Sequence, residues 1–157
     1  MPRPPTAERN AECESLATKV RTYVSEASGR GHSAQRDLHG LPEYATELAE
    51  RRDRTALLGL AREVDRWLRE IHEPSEALLL VAKMRSFGVR DSQLPVLPSA
   101  RRLHAVTARG VIISKSEAAL VESTLTNTEL AKLLGARAIE LRTILAKWRS
   151  GGHAAEA

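Results

Sequence analysis

The sequence predicts an all-α protein, and three observations carry that prediction. Good helix formers, chiefly Leu, Ala, Arg and Glu, dominate the 157 residues, while aromatic residues make up only 3 %. Apolar residues recur at three- and four-residue spacing along most of the chain. Proline, glycine and short polar residues interrupt that pattern where helices would start and stop. With 42 % hydrophobic residues the chain can bury a small core, and that core must be aliphatic. The expected organisation is a helical domain over 1–90 that could dimerise, a basic connector over 91–110, a three-helix unit over 111–150 and a tail over 151–157.

The first helix starts at Thr6, a capping residue after the extended Pro2, Pro4 and Pro5. Leu16, Val20, Tyr23/Val24 and Ala27 form its inner stripe, Cys13 lies near that stripe, and Gly29 with Gly31 should stop it. "GRGHSAQRDLHG" reads as a polar connector. Pro42, favoured in a first turn, opens a second helix that runs to about Arg52. Asp53 can cap a third, with Leu57, Leu60/Ala61, Val64, Trp67/Leu68 and Ile71 as its apolar face. The long first and third helices are available to dimerise, with Leu57, Val64, Trp67, Leu68 and Ile71 as the expected surface.

Pro74 ends the third helix and Ser75 begins a fourth, "SEALLLVAKMRSFG", with Gly88 as its stop. Being apolar nearly all round, this helix is expected at the centre of the core. "VRDSQLPVLPSARR" reads as a crossing segment. Two readings of "LHAVTARGVIIS" compete: a helix capped by Ser99 and ended by Gly110, or a short β-hairpin near 103–114. The helix is the favoured one.

Charge is uneven along the chain. The net charge is +4 and the isoelectric point about 9.6. Residues 32–73 carry 7 Lys and Arg against 9 Asp and Glu, residues 74–110 carry 6 against 2, and residues 111–149 carry 6 against 4. A positive excess in the C-terminal half suits an anionic partner. The single cysteine excludes an intramolecular disulfide framework and a cysteine-rich zinc site. No apolar run approaches the ~20 residues of a membrane span, so a soluble, cytoplasmic protein with no membrane partner is expected.

The densest signal lies between residues 114 and 149. Ser114 with Glu117, and Thr126 with Glu129, each have capping-box spacing. They imply short helices over about 115–124 and 127–134. Leu130 and Leu133/Leu134 give the second of these an apolar face, Gly135 then offers the left-handed backbone that a sharp turn needs, and a third helix over 138–149 resumes a stripe with Ile139, Leu141, Ile144/Leu145 and Trp148. Ala131 gives a close crossing, and Leu130, Leu134, Ala136, Leu141 and Ile144 lock one helix on the other. This is the layout of a helix-turn-helix.

"NTELAKLLGARAIELRTILAKW" resembles the C-terminal helix-turn-helix of Fis-type proteins, shared with the DNA-binding domains of NtrC-type activators. The residues that carry the resemblance are Ala131, Leu134-Gly135, Leu141-Arg142, Leu145 and Trp148. It covers about 23 of the 157 residues. Two positions depart from the family pattern: Ala138 replaces a polar or basic residue, and Glu140 replaces Thr or Ser. Ile139 is also unusually apolar for a residue facing DNA.

The resemblance implies a bacterial or phage protein that binds double-stranded DNA, usually as a homodimer, with the helix after Gly135 in the major groove. A transcriptional regulator or nucleoid-type factor is then the expected function. Arg137, Arg142 and Thr143 are the expected contacts to bases or phosphates, and Lys132, Lys147 and Arg149 the backbone contacts. Arg101 and Arg102, with Arg109, could add phosphate contacts. The competing expectation is a helical adaptor that binds a protein partner through its N-terminal helices, its helix-turn-helix degenerate.

Nothing points to catalysis. There is no phosphate-binding glycine loop, no paired carboxylate in an apolar setting and no nucleophile elbow. His32 and His39, with Asp37 between them, match no zinc spacing, and His72, His104 and His153 are isolated. No enzyme activity, metal or cofactor is expected.

Overall fold

The computed structural model describes residues 6–30 and 38–151. Gly31, His32, Asp37 and His153 therefore lie outside the described residues. Among the described residues the fold is all-α. The helices are α1 (Thr6–Arg30), α2 (Leu41–Glu50), α3 (Arg54–Glu70), α4 (Pro74–Ser86), α5 (Pro98–Arg109), α6 (Lys115–Thr126), α7 (Thr128–Leu134) and α8 (Ala136–Ser150). A single 3-10 turn, Asp91–Gln93, lies between α4 and α5. No described helix is long and apolar enough to cross a membrane.

The chain divides into two compact units, Met1–Ile71 with Lys83–Pro95, and His72–Ala82 with Val96–Ala157. The boundary between them falls inside α4, between Ala82 and Lys83. One cut near residue 90 is therefore not how the chain divides. Leu78 packs against the aliphatic cluster of the second unit, while Lys83 pairs with Glu26 of α1 at 2.8 Å in the first.

In the first unit α1 packs on α2 and α3. Cys13, Leu16, Ala17, Val20 and Tyr23 of α1 are fully covered, and burial pushes the Cys13 thiol pKa up. Asp53 caps α3 by accepting from the Ala56 N–H at 3.1 Å. The α3 stripe Leu57, Ala61, Val64 and Leu68 is buried inside this unit, and Trp67 packs on Tyr23 with ring centroids 5.3 Å apart and the rings tilted by 37°. The expected dimerisation surface is thus spent on the unit's own core.

A polar cluster lies within the first unit. Lys19, only 1 % exposed, donates to the Gln93 carbonyl at 2.6 Å and sits 2.5 Å from Asp65. The Ser15 hydroxyl donates to the Gln93 side-chain oxygen and accepts from the Arg90 N–H at 3.0 Å. Burial pushes the Lys19 pKa below its ordinary value, opposed by the hydrogen bond and charge of Asp65. These contacts hold residues 90–93 onto α1, which a pattern of apolar residues could not reveal.

In the second unit α6 packs on α5, α7 and α8. Leu103, Val106, Val121, Leu141, Ile144 and Leu145 form the centre of its core. Residues 98–109 are helical, so the β-hairpin reading of 103–114 is excluded and the second half of the expected connector belongs to this core. The helix begins at Pro98 with Leu97 as its N-cap, rather than at Ser99, because proline fits the first turn without a donor to satisfy. Gly110 ends it in the left-handed conformation, φ 75°.

Candidate nucleic-acid interface

The three C-terminal helices are set by local chemistry. Ser114 accepts from the Glu117 N–H at 3.2 Å, which fixes the start of α6. The Glu117 carboxylate does not return to Ser114; it accepts from the Ile113 N–H at 3.0 Å and pairs with Arg109 at 2.6 Å. Burial works against its charged form, yet the Arg109 guanidinium and the Ile113 N–H hold its carboxyl below the usual range. Arg109 therefore ties α5 to α6 and is engaged within the unit.

The start of α7 differs from the expected capping box by one residue. Asn127, not Thr126, is the N-cap and accepts from the Leu130 N–H at 3.0 Å. Thr126 is the last residue of α6 and donates to the Ser123 carbonyl. Asn and Thr both cap well, and the short link between α6 and α7 leaves only Asn127 outside both helices.

Only Gly135 separates α7 from α8, a shorter link than the roughly three- to four-residue turn common in helix-turn-helix units. Its φ is positive, at 57°, but its ψ of −119° lies outside the left-handed helical well that the sequence suggested. This backbone is the mirror image of an extended conformation, which glycine alone reaches without a Cβ penalty. An added Cβ would meet nothing within 4 Å, so backbone geometry rather than close approach is the requirement.

Around α8 the side chains sort into three faces. Ala138, Leu141, Ile144 and Leu145 are buried. Ile139, Glu140, Thr143 and Lys147 lie on the opposite side and are exposed, Ile139 at 64 %. The stripe expected from hydrophobicity contained Ile139 and Ala136, and both are exposed instead. Packing selects the small Ala138 near the turn. Leu133 of α7, also expected inside, is 43 % exposed, while Leu130 and Ala131 are buried.

The two arginines expected to act together are on different flanks. At about 100° per residue, the five-residue step from Arg137 to Arg142 turns them about 140° apart. Arg142 and Arg149 instead line one groove with Leu125 and Thr126 of α6. Arg149 lies 3.2 Å from Glu122, so its charge is already shared. Sequence reasoning missed this groove, although the spacing of Glu122, Leu125 and Thr126 matches that of Arg142, Leu145 and Ala146.

Lys132, Arg137, Arg142 and Lys147 are exposed and form no ion pair with a described residue. On α5, Arg101 and Arg102 are exposed, and Arg102 donates to the Ser116 hydroxyl. Residues 96–151 carry nine Lys and Arg against four Glu. Among the described residues no group of three or more His, Cys, Asp or Glu is placed to hold a metal. No protein-family model, curated protein or solved structure matches the chain, so this interface is read from its own residues.

Proposed function

We propose that the chain is a DNA-binding protein whose α8 enters the major groove of duplex DNA and that acts as a transcriptional regulator or nucleoid-type factor. The observation that carries this reading is the outward face of α8. A short helix ends at Gly135, and the next helix presents Ile139, Thr143 and Lys147 one turn apart on the side away from the core. An aliphatic side chain can meet a thymine methyl, Thr143 can hydrogen bond a base edge, and Lys147 can reach a guanine or a phosphate. Glu140 beside them fits a cytosine amine, which would favour particular sequences.

Arg137 on one flank of α8 and Lys132 on α7 are assigned to the phosphate backbone, with Arg101 and Arg102 of α5 as further phosphate contacts. The burial of Ala138 supports the reading, because a residue inside the core need not resemble a DNA-facing one. One short unit covers few base pairs, so two copies on a two-fold site are proposed. The α3 stripe is buried and is not what joins them.

The test is selection of bound fragments from a random duplex library with the full chain, followed by gel shifts over a range of salt. A recovered motif, and affinity that falls steeply as salt rises, is the expected result. Recovery of no sequence, together with salt-independent retention, overturns it.

A second reading, a protein-binding adaptor, is favoured by the exposure of Leu133 and Ile139 on either side of the Gly135 turn. Apolar side chains at such a corner suit a protein surface as well as a base edge.

A further inference from the structure

The flank of α8 that carries Arg142 is unused by the proposed contact with DNA, and it is a formed groove. Its floor is aliphatic, made by Leu125, Leu145 and Ala146, and its volume is about 460 Å³. Arg142 stands at one end and Arg149 at the other. They are seven residues apart, so at 1.5 Å per residue the groove runs about 10 Å along α8, two helical turns.

The rim is electrostatically incomplete. Arg149 shares its charge with Glu122, while Arg142 pairs with no described residue. Two arginines against one glutamate leave a net positive edge around an apolar floor.

We infer that this groove docks an acidic amphipathic helix of a protein partner. Its charge and spacing define that helix. The groove's own order along α8 is Arg142, Leu145, Ala146 and Arg149. A complementary helix carries an acidic residue, two leucines three and four positions later, and a second acidic residue at the seventh step. The leucines cover the floor and the carboxylates meet the arginines, which is helix-in-groove recognition. A phosphate backbone satisfies the arginines but leaves the aliphatic floor uncovered. A small anionic molecule would lack a second wall, which a docked helix supplies. The inference does not rest on the DNA reading, since the outward face of α8 takes no part in it.

The test uses the full chain and a fluorescein-labelled synthetic helix with the pattern Glu-x-x-Leu-Leu-x-x-Glu, followed by anisotropy. Saturable binding below about 1 mM is expected. Arg142→Glu should weaken it about tenfold, and Glu122→Gln should tighten it about threefold by releasing Arg149. A gain of affinity cannot come from misfolding, so the second variant keeps the test sharp. A control helix with both Glu replaced by Lys should not bind. The inference is overturned if no saturation is reached, if the Lys helix binds equally well, or if neither variant changes the affinity. Binding of a labelled duplex that is lost in Arg142→Glu, with no response to the peptide, overturns it in favour of a nucleic-acid backbone.

Discussion

Arg137 and Arg142 sit on one helix but look in directions about 140° apart, on opposite flanks of its exposed face. Their side chains therefore leave the helix on different flanks. The sequence presents two basic residues near a turn; the buried stripe of Ala138, Leu141, Ile144 and Leu145 decides which way each one points.

The first prediction concerns that division. Lys147→Ala and Arg137→Ala should each weaken duplex binding about three- to tenfold and lower the salt slope by about one. Thr143→Ala should instead relax sequence preference at one base position. If Arg142→Ala alone abolishes duplex binding while Lys147→Ala and Thr143→Ala do nothing, α8 meets DNA by its groove flank and the assigned face is wrong.

Gly135 gives a stereochemical test. Gly135→Ala should cost about 1–3 kcal/mol, because an L-residue is strained at φ 57°, ψ −119°. D-alanine, introduced by chemical ligation, should be tolerated, since φ 57°, ψ −119° is the mirror image of a backbone that an L-residue adopts freely. Urea denaturation midpoints measure both. Equal loss from the two residues would point to crowding rather than backbone conformation.

Acid should loosen the second unit through Glu117. Its folded pKa is lowered, so its stabilising contribution is complete above the ordinary value of about 4.3 and is lost as pH falls through the folded value. Glu117→Gln should cost about 1–2 kcal/mol at pH 7 and flatten the decline of stability below pH 4.3. Thermal melts of the two proteins across pH 7 to 2.5 should converge at the acid end. Parallel curves would remove Glu117 from the account.

Lys19 should show the asymmetry of a buried pair. Lys19→Met alone leaves Asp65 and the Gln93 carbonyl without their cation and should cost about 2–4 kcal/mol. Lys19→Met with Asp65→Leu should recover much of that loss. Chemical denaturation of both variants decides it, and a double variant less stable than the single one would contradict the argument.

Much of this fold was legible because local chemistry writes it down. Asp53 and Ser114 cap the helices they precede, and Gly110 ends α5 with a positive φ. Errors arose where two residues could do the same task. Thr126 and Asn127 both cap, and Pro98 and Ser99 both open a helix; chain geometry chose Asn127 and Pro98. The site was harder to read. Hydrophobicity places Ile139 inside, whereas the structure buries Ala138 there and leaves Ile139 exposed. Side-chain volume at a close crossing settles that choice, and volume complementarity belongs to the partner helices rather than to the residue itself. The groove of Leu125 and Arg149 is invisible for the same reason: its two walls are distant in sequence.

The boundary inside α4 has a consequence for dissection. The chain enters each unit twice, so neither is a contiguous stretch of polypeptide. A fragment beginning at Val96 would lack Leu78, which packs on the aliphatic cluster, and Glu73, which accepts from the Ser123 hydroxyl at 2.8 Å. A fragment ending at Ile71 would lack Gln93 and with it the acceptor for Lys19. A cut after Ile71 keeps the second unit whole but strips residues 83–95 from the first, and a cut after Pro95 does the reverse, so no single cut yields both units intact.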